Sequence, residues 1–289
     1  MWNTVKTLFL LSLLGGLCVV AGGLIGQQAG LVIGLCMGLL LIGGSYWFSD
    51  KIAIKSARAS QVTAEEMPQY YAIMEELCFH AGMPMPKLYV SSNPQPNAFA
   101  TGRNPKNSAV CVTQGLLSSM DWDEVRGVLA HELCHIRNRD VLICSVAAAV
   151  GTAITFVANM AMWMPFGGRG SRGGHPYAQL LFALLAPMAA LLIRLAISRS
   201  REFQADASAA ELMGDGRPLA DALIRLEHYS QRVPSFGVNP NQASAYIVNP
   251  LKAQAAGGSL GGFGRLFSTH PSTEERVRRL EEGVWYGQK

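Results

Sequence analysis

Charge is scarce in this sequence. Only 15% of its 289 residues are Asp, Glu, Lys or Arg, against about 25% in an ordinary soluble domain. That shortage argues against a purely soluble protein, as do the 49% hydrophobic content and the mean hydropathy of +0.20. Cysteine is thin as well. Six residues, three of them (Cys18, Cys36 and Cys144) inside or at the edge of apolar stretches, do not make a secreted disulfide scaffold. Cys78, Cys111 and Cys134 read as reduced thiols. The apolar content excludes disorder for the bulk of the chain. The net charge of +4 is no nucleic-acid signal, because the basic residues gather beside apolar stretches.

Long apolar runs account for the missing charge: Val5–Gly26, Ala29–Phe48, Val141–Pro165 and Ala178–Ile197. A bilayer core of about 30 Å needs about 20 such residues as a helix. The first run holds no charge after Lys6, and a second follows directly after Gln27 and Gln28. A cleaved signal peptide would not normally be followed so closely by another such run, so residues 1–48 are expected to form a transmembrane hairpin. The third and fourth runs, within residues 141–197 and flanking the Gly-rich loop Gly167–Gly174, read either as two further spans or as a buried or re-entrant helical pair. With four spans, one side receives Lys6, Lys51, Lys55, Arg58, Arg137, Arg139, Arg199 and Arg201, and the other only Arg169 and Arg172. This asymmetry places both termini and the globular parts in the cytoplasm. Trp47, Phe48, Trp163 and Phe166 read as interfacial anchors.

The remaining residues, 49–140 and 198–289, suit one mid-sized domain. A polar helix is expected around Ala64–Ala81, with short extended runs at Lys87–Val90 and Ala109–Thr113. Asp121–Asp140 reads as a helix capped by Asp121, with Glu124 completing a variant of the capping box. Ser198–Gln231 reads as helical, Val233–Gly264 as loop, and Pro271–Gly283 as a charged helix. The fold class is therefore a mainly α membrane protein carrying an α+β domain with a small sheet.

Within the Asp121–Asp140 helix stands His131-Glu132-Leu133-Cys134-His135. Histidines four apart lie one above the other on a helix and can grip one metal ion, with Glu132 beside them as general base for an attacking water. Two imidazoles leave zinc one protein ligand short of the usual three. Glu202, in Arg201-Glu202-Phe203-Gln204-Ala205-Asp206, is the candidate; alone, it could equally be a surface glutamate in a salt bridge. Topology favours ligation, since an antiparallel apolar pair would return the chain beside the histidines. Asp206 shares the helix face of Glu202 and could fix the tautomer of a ligand imidazole. Cys134 points away from both histidines and reads as packing.

HELCH, REFQAD, Asn97–Gly102 (NAFATG) and Leu266–Leu280 (LFSTHPSTEERVRRL) together resemble the HtpX family of membrane zinc endopeptidases, relatives of the CAAX prenyl proteases. The resemblance covers nearly the whole chain. It implies a zincin-like fold, one Zn2+ held by His131, His135 and Glu202, and Glu132 as the catalytic glutamate. It further implies proteolysis of damaged or misfolded membrane proteins, or other unfolded polypeptide, at the cytoplasmic face of a bacterial inner membrane. Asn97, Ala98, Phe99 and Ala100 resemble the family's substrate-binding edge strand; the alternative is a surface turn. His270 resembles a histidine that stabilises the oxyanion; the alternative is a helix-capping turn. Arg276 either supports that site or pairs with Glu274 or Glu275. The competing reading is a non-catalytic, zinc-stabilised membrane scaffold, which would have no use for a non-ligand carboxylate between its histidines. The partners expected are polypeptide substrates and the lipid bilayer, with no nucleic acid.

Overall fold

The structure is a computed structural model, and it describes residues 2–141, 199–232 and 271–283. The third and fourth apolar runs, the Gly-rich loop and His270 lie outside the described residues. The chain divides into two compact units, Met1–Ser45 with Val146–Ala196, and Tyr46–Ser145 with Ile197–Lys289.

Helix α1, Trp2–Ser56, begins in the first unit and ends in the second. It is not a straight rod. A Cβ added to Gly34 would lie 2.2 Å from the Cys18 carbonyl oxygen, and one added to Gly38 would lie 3.3 Å from the Gly15 Cα. At 1.5 Å of rise per residue, straight-helix positions 16 apart are about 24 Å apart. The chain therefore reverses between them, and the missing side chain of Gly34 lets the two arms touch. Among the described residues no helix is long and apolar enough to cross a membrane.

The second unit is built on a four-stranded sheet in the order β1-β2-β4-β3. Its strands are β1 (Ala59–Gln61), β2 (Lys87–Ser91), β3 (Ala98–Asn104) and β4 (Asn107–Thr113). β2 runs parallel to β4, while β1 and β3 are antiparallel to their neighbours. Among the described residues β3 pairs only with β4, so its other edge carries no described strand. α2 (Pro68–Ala81) packs on the sheet through Tyr70, Met74 and Leu77, and the Tyr70 hydroxyl donates to the Val110 carbonyl at 3.2 Å. The short α3 (Gln114–Ser119) leads from β4 into α4 (Trp122–Arg137).

α4 starts as its sequence requires. The Asp121 carboxylate accepts from the Glu124 N–H at 2.9 Å, and the Glu124 carboxylate accepts from the Asp121 N–H at 3.0 Å. Such a cap is typically worth about 1 kcal/mol. Val125, Val128, Leu129 and Leu133 of α4 are buried in the core. Where one helix is expected over Ser198–Gln231 there are two, α5 (Arg199–Met213) and α6 (Arg217–Arg232), broken where Gly214 adopts φ +71°. α4 approaches α6 very closely: a Cβ on Gly127 would lie 2.6 Å from the Leu219 nitrogen, so only glycine allows this spacing. The last helix, α7 (Thr273–Glu281), is capped by Ser272. It packs on α5, where Arg279 lies 3.8 Å over the Phe203 ring.

Candidate metal centre

His131 and His135 leave the same face of α4 one turn apart, with their ring planes at 89°. Their Nε2 atoms are 3.1 Å apart. From α5, Glu202 brings one carboxylate oxygen to 3.8 Å from His131 Nε2 and the other to 3.6 Å from His135 Nε2. Among the described residues these three form the one group able to hold a metal ion, with all ligand atoms within 4.8 Å of one another. Ligand atoms around a tetrahedral zinc with bonds of ~2.0–2.1 Å sit ~3.3 Å apart, so the spacing suits such an ion.

Behind each imidazole stands a carboxylate, and behind each carboxylate an arginine. His131 Nδ1 faces Asp206 at 3.0 Å, and Asp206 accepts two bonds of 2.7 Å from the Arg276 guanidinium. His135 Nδ1 faces Asp140 at 3.2 Å, and the Arg201 guanidinium lies 3.6 Å from Asp140. Carboxylates in this position fix the tautomer and orientation of a ligand imidazole. Arg276, 1% exposed, also comes within 3.8 Å of Glu202. It thus supports the metal ligands through Asp206 and Glu202, while Glu275 pairs with Arg278 and Arg279; the support of His270 expected of Arg276 lies outside the described residues.

Asp140 is the site residue that sequence reasoning missed. α4 ends at Arg137, three residues before the expected end, and Arg139 turns left-handed with φ +58°. That conformation costs a non-glycine residue on the order of 1 kcal/mol, and here it returns the buried Asp140 towards His135. A carboxylate five residues after the second histidine is a visible signal, but ideal helical spacing points it elsewhere.

Four buried carboxylates (Glu132, Asp140, Glu202 and Asp206) share this region with two buried guanidiniums (Arg201 and Arg276). With both imidazoles neutral and all four carboxylates ionised, the forms that a bound cation favours, that leaves an excess of two negative charges, which a divalent cation would balance. The donor set and the charge both fit a metal.

Burial is the largest influence on every group here. It lowers His131 below the ordinary histidine range, favouring the neutral form that can ligate. It raises the Glu132 carboxyl to about 7, reinforced by the Glu202 charge and opposed by His135, the Ala100 backbone and Arg276. For His135, burial is outweighed by the Asp140 hydrogen bond and the Glu202 and Glu132 carboxylates, which together raise it to about 9. For Asp206, burial is outweighed by Arg276, which lowers its carboxyl. The Cys134 thiol, buried and pushed up to about 12, stays protonated and lies outside the ligand group.

Glu132 is buried beside the ligands without belonging to their group, and the Ala100 backbone of β3 hydrogen-bonds to its carboxyl. Ala98, Phe99 and Ala100 open that edge strand and Asn97 stands just before it; Asn97 is tied to Thr113, whose backbone N–H donates to the Asn97 carbonyl at 2.9 Å.

Residues 64–284 match the model of the family described as Peptidase family M48. The chain is 46% identical over 284 residues to a "Protease HtpX homolog" of Methylibium petroleiphilum, covering 97% of each chain. It is 47% identical over 286 residues to the protein of the same name from Persephonella marina, again covering 97% of each. Among solved structures, the crystal structure of S. mikatae Ste24p is similar at a TM-score of 0.53 and 20% identity, over 96% of this chain and 65% of that one. That likeness concerns the fold.

Proposed function

Because this chain belongs to peptidase family M48, as an HtpX-type metalloprotease, we propose that it is a zinc-dependent endopeptidase that cleaves misfolded or damaged membrane proteins at the cytoplasmic face of the bacterial inner membrane. The observation that carries the reading is the convergence of His131, His135 and Glu202, with Glu132 beside them and outside the ligand group. Bound by those three residues, zinc supplies Lewis acidity, polarising a scissile carbonyl and acidifying a water. The protein does the rest. Glu132 takes the proton of the attacking water and returns it to the departing amine. The outer edge of β3, which no strand among the described residues pairs, offers backbone groups to an extended substrate, which would lie along Ala98–Ala100 and pass Glu132. His270, just before the helix that carries Arg276, is proposed to stabilise the oxyanion. Asp206 and Asp140 hold the imidazoles in the orientation the metal needs.

Membrane anchorage is read from the uncharged runs of the sequence. It is supported by the large apolar side chains that α1 leaves exposed, among them Val32, Ile33, Leu39 and Leu40, since monomeric soluble proteins rarely expose such continuous patches.

Dialysis of the purified protein against a chelator is expected to remove both metal and peptidase activity, and one equivalent of zinc should restore activity on a model membrane substrate. Activity that survives complete metal removal would sink the reading. For orientation, a reporter fused after Lys289 should be active in the cytoplasm; activity confined to the periplasm would reverse the assignment.

A further inference from the structure

The last turns of α1 show one face that the chemistry of the metal site does not use. Trp47, Phe48, Lys51, Ile52 and Lys55 fall within about 140° of arc at 100° per residue. All five are exposed, Trp47, Phe48 and Ile52 by 56%, 52% and 57%. On the opposite side of the same turns, Asp50, Ala53 and Ile54 are half-buried. The exposed face therefore carries aromatic, aliphatic and basic side chains and no acid. Its members are organised: the Lys51 ammonium lies 5.6 Å over the Phe48 ring, and the Arg103 guanidinium, from β3, lies 4.4 Å over the Trp47 ring. Bulk water gives such a face no reason to expose three large apolar side chains. A protein partner with an acidic groove would satisfy the lysines but would have to meet the uncharged run Ala29–Phe48, which leads directly into them. The headgroup layer of a bilayer satisfies both, with aromatic rings at the boundary and lysine stems reaching to phosphate.

We propose that this collar of Lys51, Lys55 and Arg103 around Trp47 and Phe48 binds the headgroups of anionic phospholipids, and so fixes the height of β3 above the bilayer. The proposal rests on the membrane anchorage proposed above. Its consequence is for substrate choice. Arg103 is three residues from Ala100 on the same strand, about 10 Å at 3.3 Å per residue. A strand edge held that close to the headgroups meets polypeptide as it leaves the membrane, so the favoured substrates are juxtamembrane segments.

The test is lipid retention by the full-length protein, extracted from membranes and exposed to equal amounts of phosphatidylglycerol and phosphatidylcholine, read by native mass spectrometry. The wild type should retain phosphatidylglycerol preferentially. Lys51→Gln/Lys55→Gln should lower that preference on the order of tenfold, from a few-fold per lysine near a charged surface. Cleavage of a short soluble peptide by this variant should match wild type, which shows that it is folded. Equal retention of the two lipids by wild type, or a preference unchanged in the variant, overturns the proposal. Retention is read without proteolysis, so a failure of the peptidase reading would appear separately, in the peptide assay.

Discussion

Glu132→Gln is expected to lower peptide hydrolysis by at least about 10³-fold, within the range attributed to general acid–base catalysis, while zinc stays near one per chain. Glutamine has the size and shape of the carboxylate it replaces and can still accept a hydrogen bond from the Ala100 backbone, so the buried site keeps its packing. What it loses is the ability to take a proton. Glu132 lies outside the group of ligand atoms, so metal retention has no direct dependence on it. One negative charge does leave a cluster that holds a surplus of two, and a modest weakening of zinc affinity should accompany the loss of activity. Measured zinc content alongside turnover decides the matter: loss of both together would make Glu132 a ligand and contradict its role as base.

Glu202→Ala should do the reverse, abolishing activity by releasing the metal. It removes one of three ligands and strips Arg276 of one of its two carboxylates, the other being Asp206. Zinc affinity should fall by more than the ~10–100-fold typical of a lost outer partner. The comparison is Asp206→Asn, which keeps a hydrogen-bonding group between His131 and Arg276 and should fall within that range. Asp206→Ala is less informative, since taking away the carboxylate that accepts two short hydrogen bonds from the buried Arg276 destabilises the fold by up to ~3–5 kcal/mol. Competition with a chromophoric chelator ranks the two variants. If Asp206→Asn releases metal as readily as Glu202→Ala, Glu202 is not a ligand of greater weight than the residues behind it.

Local chemistry was the legible part of this chain. The start of α4 could be read because its cap involves only Asp121 and Glu124, and the histidine pair because helical spacing alone aligns i and i+4. β2 and β4 could be read as short β-rich runs. Their parallel pairing was not legible, because strand order depends on contacts between residues far apart in sequence; β3 at the sheet edge was expected only from the family resemblance of Asn97–Ala100. Asp140 was hidden for another reason. Its place depends on a left-handed arginine, and nothing in the type of residue at position 139 announces that conformation as a glycine would. The break at Gly214 was announced by a glycine, yet the Ala-, Glu- and Leu-rich residues on both sides favour helix enough to read as one. Arg276 could be listed with two roles but not assigned, since its partner is 70 residues away.

Arg276 also decides when the enzyme comes into being. The histidine pair is synthesised first, on a helix with its own cap and core contacts, long before Arg276 emerges. Until α7 docks, Asp206 faces the interior without its counter-charge, and the carboxylate cluster around His131 repels itself. A chain halted or clipped before α7 would therefore carry the full HELCH signature and yet be no protease. Competence waits for α7, the helix that brings Arg276 to Asp206.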